Sequence, residues 1–190
     1  MSVRLSRDEA WTLLTEWVSS ESLQRHCLAV STAMEAYAER FGEDPELWGV
    51  VGLLHDMDYE RYPDLETGHP RMALAELERR DVDPVVVRAI ASHADFLGVT
   101  RESPLEKTLY AVDELSGFIL ACAAVRPDGL RGLTAKSVKK KLKQPSFAAA
   151  VNRDEVRHGA DELGVDFDEH VNFVAAALEA RSDQLLPTAA

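Results

Sequence analysis

Leu23, His26, Cys27, Val30, Ala33, Met34 and Tyr37 recur at three- and four-residue steps, the period of one face of an α-helix and not the two-residue alternation of a strand. The helical period runs through nearly the whole chain, and no alternating run bounded by hairpin residues interrupts it. The pattern predicts an all-α fold. Ser6, with Glu9 at the capping-box position, opens a first helix through Trp11, Leu14 and Trp17 to about Val18. A second runs from about Ser22 to Phe41 and stops at Gly42. Asp44 and Pro45 supply a cap and a first-turn proline for a third, to about Met57. Its stretch GVVGLL is apolar on nearly all sides, so this helix is expected to be central. MDYERYPDLETG then reads as a loop, followed by helices over about 70–80, 84–93 and 104–125. RPDGLRG is the clearest break; beyond it come a short basic helix over 134–143, a QPSF turn, and one or two helices ending near Arg181.

With 190 residues, 46% of them hydrophobic, the chain suits one globular domain over 1–181. Within it, about 20–125 would form the chemical core and 126–181 a helical extension, with 182–190 a flexible tail. Acidic residues outnumber basic ones 33 to 21, a net charge of −12, which argues against DNA, RNA or an anionic membrane as partner. No apolar run reaches the ~18 residues of a membrane span, and MSVRLSRDEAW lacks a secretory apolar region, so a cytoplasmic protein is expected. Cys27 and Cys122 show no CxxC spacing and read as core thiols.

One histidine on an apolar helix face is ordinarily a core residue. Several together with buried carboxylates change that reading. His26 lies on the inward face of the second helix, and His55 and Asp56 end the apolar third helix. His93 ends another, and Asp113 shares a face with Leu109, Val112, Ser116 and Leu120. A buried carboxylate beside imidazoles is costly unless a cation holds it, and nitrogen and oxygen donors from separate helices are a usual way to build a metal site in a helical core. Adjacent His55 and Asp56 are about 100° apart around a helix and flank one spot only near its end. KSVKKKLK carries a further pattern: Lys136, Lys139, Lys140 and Lys143 form one stripe opposite Val138 and Leu142. The stripe is either a solvated face or a phosphate-attracting lid.

The order His26, His55-Asp56, Asp113, within RHCLAVSTAM, VGLLHDMD and YAVDELSG, resembles the H…HD…D pattern of the HD-domain superfamily of metal-dependent phosphohydrolases over about residues 20–125. The resemblance implies an all-α bundle with a metal held by His26, His55, Asp56 and Asp113. His69 and His93 fall where dinuclear branches carry extra histidines, which implies a second metal with Asp56 as the bridge. The implied activity is hydrolysis of a nucleotide or small phosphate ester by metal-activated water. The metal would be one or two ions of Mn, Fe, Co, Ni or Zn, with Mg disfavoured by the nitrogen donors. Asp58, Glu60 and Asp64 are candidates for orienting water or protonating a leaving group, and Arg71 with the four stripe lysines for contacting phosphate. Nucleotidase-like relatives have a Glu three residues after the motif's Asp, and dinucleoside-polyphosphate-cleaving ones a Lys; Tyr59 stands there in this chain. The alternatives are an HD-type mixed-valent di-iron oxygenase, which uses the same six-ligand order, and a non-catalytic nucleotide- or metal-binding module.

Overall fold

The computed structural model describes residues 2–186, and among these it is all-α with no strand. The helices are α1 (Arg7–Trp17), α2 (Glu21–Phe41), α3 (Pro45–Leu54), α4 (Arg71–Arg79), α5 (Pro84–His93), α6 (Pro104–Ala124), α7 (Ala135–Leu142), α8 (Arg153–Leu163), α9 (Phe167–Glu179) and α10 (Ser182–Leu185), with a 3₁₀ turn at Asp95–Leu97. None is long and apolar enough to cross a membrane. Caps fall where the sequence puts them: Ser6 and Glu9 form the reciprocal box of α1, Asp44 accepts from Glu46 and Leu47 at the start of α3, and Gly42 closes α2 in the left-handed conformation.

Helix α3 is central, as its composition predicts, but it ends at Leu54 instead of near Met57. From there the chain winds through tighter turns, with Met57 N–H donating to Leu54 O and Tyr59 N–H to Asp56 O. These turns bring Asp56 beside His55 instead of carrying it a third of the way around a regular helix. Helix α3 lies unusually close to α2. A Cβ on Gly52 would stand 2.6 Å from Ser31 Cα, and one on Gly49 2.6 Å from Glu35 Oε1. Glu35 is itself tied to Arg7 at 2.8 Å and to Arg181, so the two ends of the chain meet across the α2–α3 pair. A third close approach, at Gly159, seats α8 on Ala111 of α6.

One apolar cluster runs from Ala10 in α1 to Leu185 in α10 and includes the buried, unpaired Cys27 and Cys122. The tail expected over 182–190 is therefore ordered in its first part, because Leu185 is buried; residues 187–190 lie outside the described residues.

His170, on α9 and outside the ligand pattern, is a core residue. Tyr37 Oη donates to its Nδ1 at 2.6 Å, and its Nε2–H donates to Ala111 O at 3.0 Å. Burial holds this imidazole below its ordinary value. The unfolded chain binds a proton here near pH 6.5 and the native chain resists it, so the contribution is present above about pH 6.5 and lost as pH falls below that value. Urea unfolding between pH 8 and 5 is expected to show a steeper acid-side loss for the native sequence than for His170→Gln; parallel curves would contradict this.

Candidate metal centre

Each ligand candidate sits where an element ends or turns inward: His26 in the first half of α2, His55 and Asp56 after α3, His69 before α4, His93 at the end of α5, and Asp113 midway along α6. The structure brings all six together as two groups that share Asp56. In the first, His26 Nε2 lies 3.1 Å from Asp113 Oδ1, 3.3 Å from His55 Nε2 and 3.6 Å from Asp56 Oδ2. His55 Nε2 lies 3.2 Å from Asp113 Oδ1 and 3.5 Å from Asp56 Oδ2. In the second, the other oxygen of Asp56, Oδ1, lies 3.5 Å from His69 Nε2 and 3.7 Å from His93 Nε2.

The backbone decides which ring nitrogen faces inward. His55 Nδ1–H donates to Gly52 O at 2.9 Å and His93 Nδ1–H to Ile90 O. A carbonyl only accepts, so Nδ1 carries the hydrogen and each Nε2 offers a lone pair toward Asp56. In the first group Nε2 of His26 and of His55 converge with oxygens of Asp56 and Asp113, and such a set needs positive charge among its members, either a cation or protons on the imidazoles. The charge balance has the same sense: burial alone would push His55 down, yet Asp56 and Asp113 outweigh it and raise it to about 10. Both carboxylates are in turn held below the usual range, because His55 and neighbouring imidazoles overcome their burial. Ligand bonds of about 2.0–2.1 Å around a tetrahedral centre give edges of about 3.3 Å, which the first group matches. The donor set therefore fits a divalent transition metal.

The three residues expected to handle protons or water do not reach this floor. Asp58 is wholly buried and both its oxygens are engaged, one accepting from His69 Nδ1–H and the other from Ala73 N–H, each at 2.8 Å. It orients His69 and leaves no oxygen for substrate. Asp58→Ala is expected to lower metal affinity at the second group by about 10–100-fold while sparing the first. A competitive chelator titration reads this; unchanged affinity at both would contradict it. Glu60 accepts from Ser19 and Ser20 N–H at the base of α2, and Asp64 caps its own turn through Glu66 and Thr67. Both are spent on local backbone.

Beside the ligand candidates opens a cavity of about 410 Å³, lined also by Tyr59, Leu65 and Phe96 and by the carboxylates of Asp95, Glu114 and Glu155. None of the expected phosphate-contacting residues lines it. Lys136, Lys139, Lys140 and Lys143 point outward because Val138 and Leu142 turn the opposite edge of α7 into the core, and Lys139 pairs with Asp168 at 2.6 Å. Arg71 braces the rim from behind, donating to Leu65 O at 2.7 Å beneath the Phe96 ring. The acidic wall was not foreseen. Glu114 had a signal, as the neighbour of Asp113 on a helix, whereas Glu155 comes from α8, whose seat on α6 depends on Gly159. Burial and the Asp113 charge raise Glu114 to about 7 and lift Glu155 as well.

The HD domain family model matches residues 23–117, half of the chain and the span that carries all six ligand candidates; the chain belongs to this family of metal-dependent phosphohydrolases. Among curated proteins it is similar to Ribonuclease Y of Rhodopirellula baltica, 30% identical over 129 residues, which are 68% of this chain and 23% of that protein. It is also similar to Ribonuclease Y 2 of Levilactobacillus brevis, 32% identical over 92 residues, 48% of this chain and 17% of that one. The chain thus spans less than a quarter of the length of these relatives. No solved structure matches it.

Proposed function

We propose that the chain is a phosphohydrolase whose two ligand groups hold a pair of divalent transition-metal ions above which a phosphate ester is cleaved. The observation that carries this is Asp56, whose two oxygens face different histidine pairs, His26 with His55 and His69 with His93. Bound divalent cations supply an acidified water and neutralise charge on a phosphoryl oxygen. The chain supplies the rest: three imidazoles pre-set by Gly52 O, Asp58 and Ile90 O, and a cavity sized for a small ester or a nucleotide. In the net reaction water oxygen bonds to phosphorus, the ester P–O bond breaks, and the leaving oxygen departs with a proton of that water. RNA returns as a candidate substrate. Its exclusion rested on net charge alone, and two relatives are named as ribonucleases.

Phosphate release by protein loaded in turn with Mn, Fe, Co, Ni and Zn, screened over phosphorylated metabolites, nucleotides and short RNA, tests the proposal. Metal-dependent turnover of at least one class is expected; inactivity with every pair would contradict it. Four histidines and two aspartates also suit a di-iron oxygenase, and a cavity wall that carries no Lys or Arg among the described residues favours that second reading over a polyphosphate enzyme. Iron in the untreated protein, with oxygen consumed in proportion to product, would select it.

A further inference from the structure

The wall facing the ligands is negative, and no lysine or arginine among the described residues lines the cavity with it. Two of its carboxylates are built as a pair. Asn152, the cap of α8, donates its backbone N–H to Glu114 Oε2 at 3.1 Å and its side-chain amide to Glu155 Oε1. Glu114 comes from α6 and Glu155 from α8, so one asparagine holds carboxylates of two helices side by side at the cavity wall. The second oxygen of each has no donor among the described residues. Asp95 beside them already accepts from Arg101 at 2.7 Å and is offset; the Glu pair has no such cation. Paired carboxylates in a partly buried wall are costly, and a ligand that brings both N–H donors and a positive charge relieves that cost. The exposed ring of Tyr59 also lines the cavity and offers a face that favours a cation over an anion, while the Phe96 ring already has the Arg71 guanidinium over it.

From this wall we infer that the substrate is a small phosphate monoester bearing a protonated amine, its phosphate on the His–Asp floor and its ammonium group between Glu114 and Glu155. The inference rests on the phosphohydrolase reading for the phosphate end alone. It disfavours a polyanion threaded through the cavity, since each further phosphate would meet the acidic wall.

Two esters that differ only in the amine test it: 3-aminopropyl phosphate and propyl phosphate, each hydrolysed to its alcohol and inorganic phosphate. With the metal-loaded full chain at pH 8, kcat/KM is expected to favour the amine by at least about tenfold, and Glu155→Gln is expected to bring the ratio near one. Equal rates in the native sequence, or a preference that survives Glu155→Gln, would overturn the amine and leave the hydrolase standing; in that case a shared proton accounts for the carboxylate pair. Faster cleavage of a short RNA than of either ester would also overturn it. If neither ester is hydrolysed, the broader substrate screen decides the phosphohydrolase reading, and calorimetric binding of the same two compounds decides the amine by itself. Tighter binding of the amine, lost in Glu155→Gln, supports it, and equal binding overturns it.

Discussion

Replacing Asp56 by alanine is expected to remove metal from both ligand groups at once. No other side chain among the described residues belongs to both groups. His26, His55 and Asp113 would remain for one cation, and His69 with His93 for the other, a pair of imidazoles without a carboxylate. Activity is expected to fall by at least about 10³-fold, the loss of several kcal/mol of charge stabilisation at the reacting phosphoryl group. His93→Ala should differ: it depletes the second group and leaves the first with its four ligands. Metal per chain, measured for both variants after the same dialysis, separates the two outcomes. A shared site gives near zero for Asp56→Ala and about half the native content for His93→Ala. Equal losses in the two variants would show that Asp56 is not shared. Far-ultraviolet dichroism of the metal-free proteins should stay helical in both.

Gly52→Ala is expected to have the largest effect on stability. The added Cβ would lie 2.6 Å from Ser31 Cα and 2.7 Å from Ser31 N, and backbone atoms in the middle of α2 have no rotamer by which to retreat. Helices α2 and α3 must then separate, at a cost of at least about 3 kcal/mol. The damage reaches the metal centre, because His26 rides on α2 while Gly52 O holds the His55 ring. Gly117→Ala is the contrast. Its Cβ would meet the His26 ring at ordinary contact distance, Nδ1 at 3.5 Å and Cε1 at 3.7 Å, and replacing glycine inside a helix gains roughly 0.5–1 kcal/mol. Urea unfolding of the metal-free proteins compares the two. A Gly52→Ala midpoint equal to that of the native chain would refute the close α2–α3 contact.

Much of the architecture was legible because it follows from local signals. Ser6 and Asp44 mark helix starts through side-chain oxygens that accept first-turn N–H groups, Pro84 and Gly42 mark ends through their backbone geometry, and the three-four spacing of α2 sets which face turns inward. That the six donors cluster was legible for a related reason: a histidine or aspartate on an apolar face stands out against its neighbours. What escaped depended on contacts between distant segments. Asp58 and Glu60 have the same carboxylate chemistry in the sequence, and only the fold shows that His69 and Ser19 with Ser20 take them, whereas Asp64 is taken by Thr67 in its own turn. The lysine stripe was read correctly as one face of a helix, but periodicity does not say what that face looks toward. Glu155 joins Glu114 across 41 residues because two close contacts, Gly159 on Ala111 and Asn152 between the carboxylates, fix α8 against α6.

The most direct test of the shared-aspartate centre is anomalous scattering from crystals of protein purified without chelator, recorded at the absorption edges of Mn, Fe, Co, Ni and Zn. Two peaks are expected, one among His26, His55, Asp56 and Asp113 and one among Asp56, His69 and His93, with one oxygen of Asp56 turned to each. A single peak remote from Asp56, or a chain that takes up none of these metals at millimolar concentration, would contradict the account.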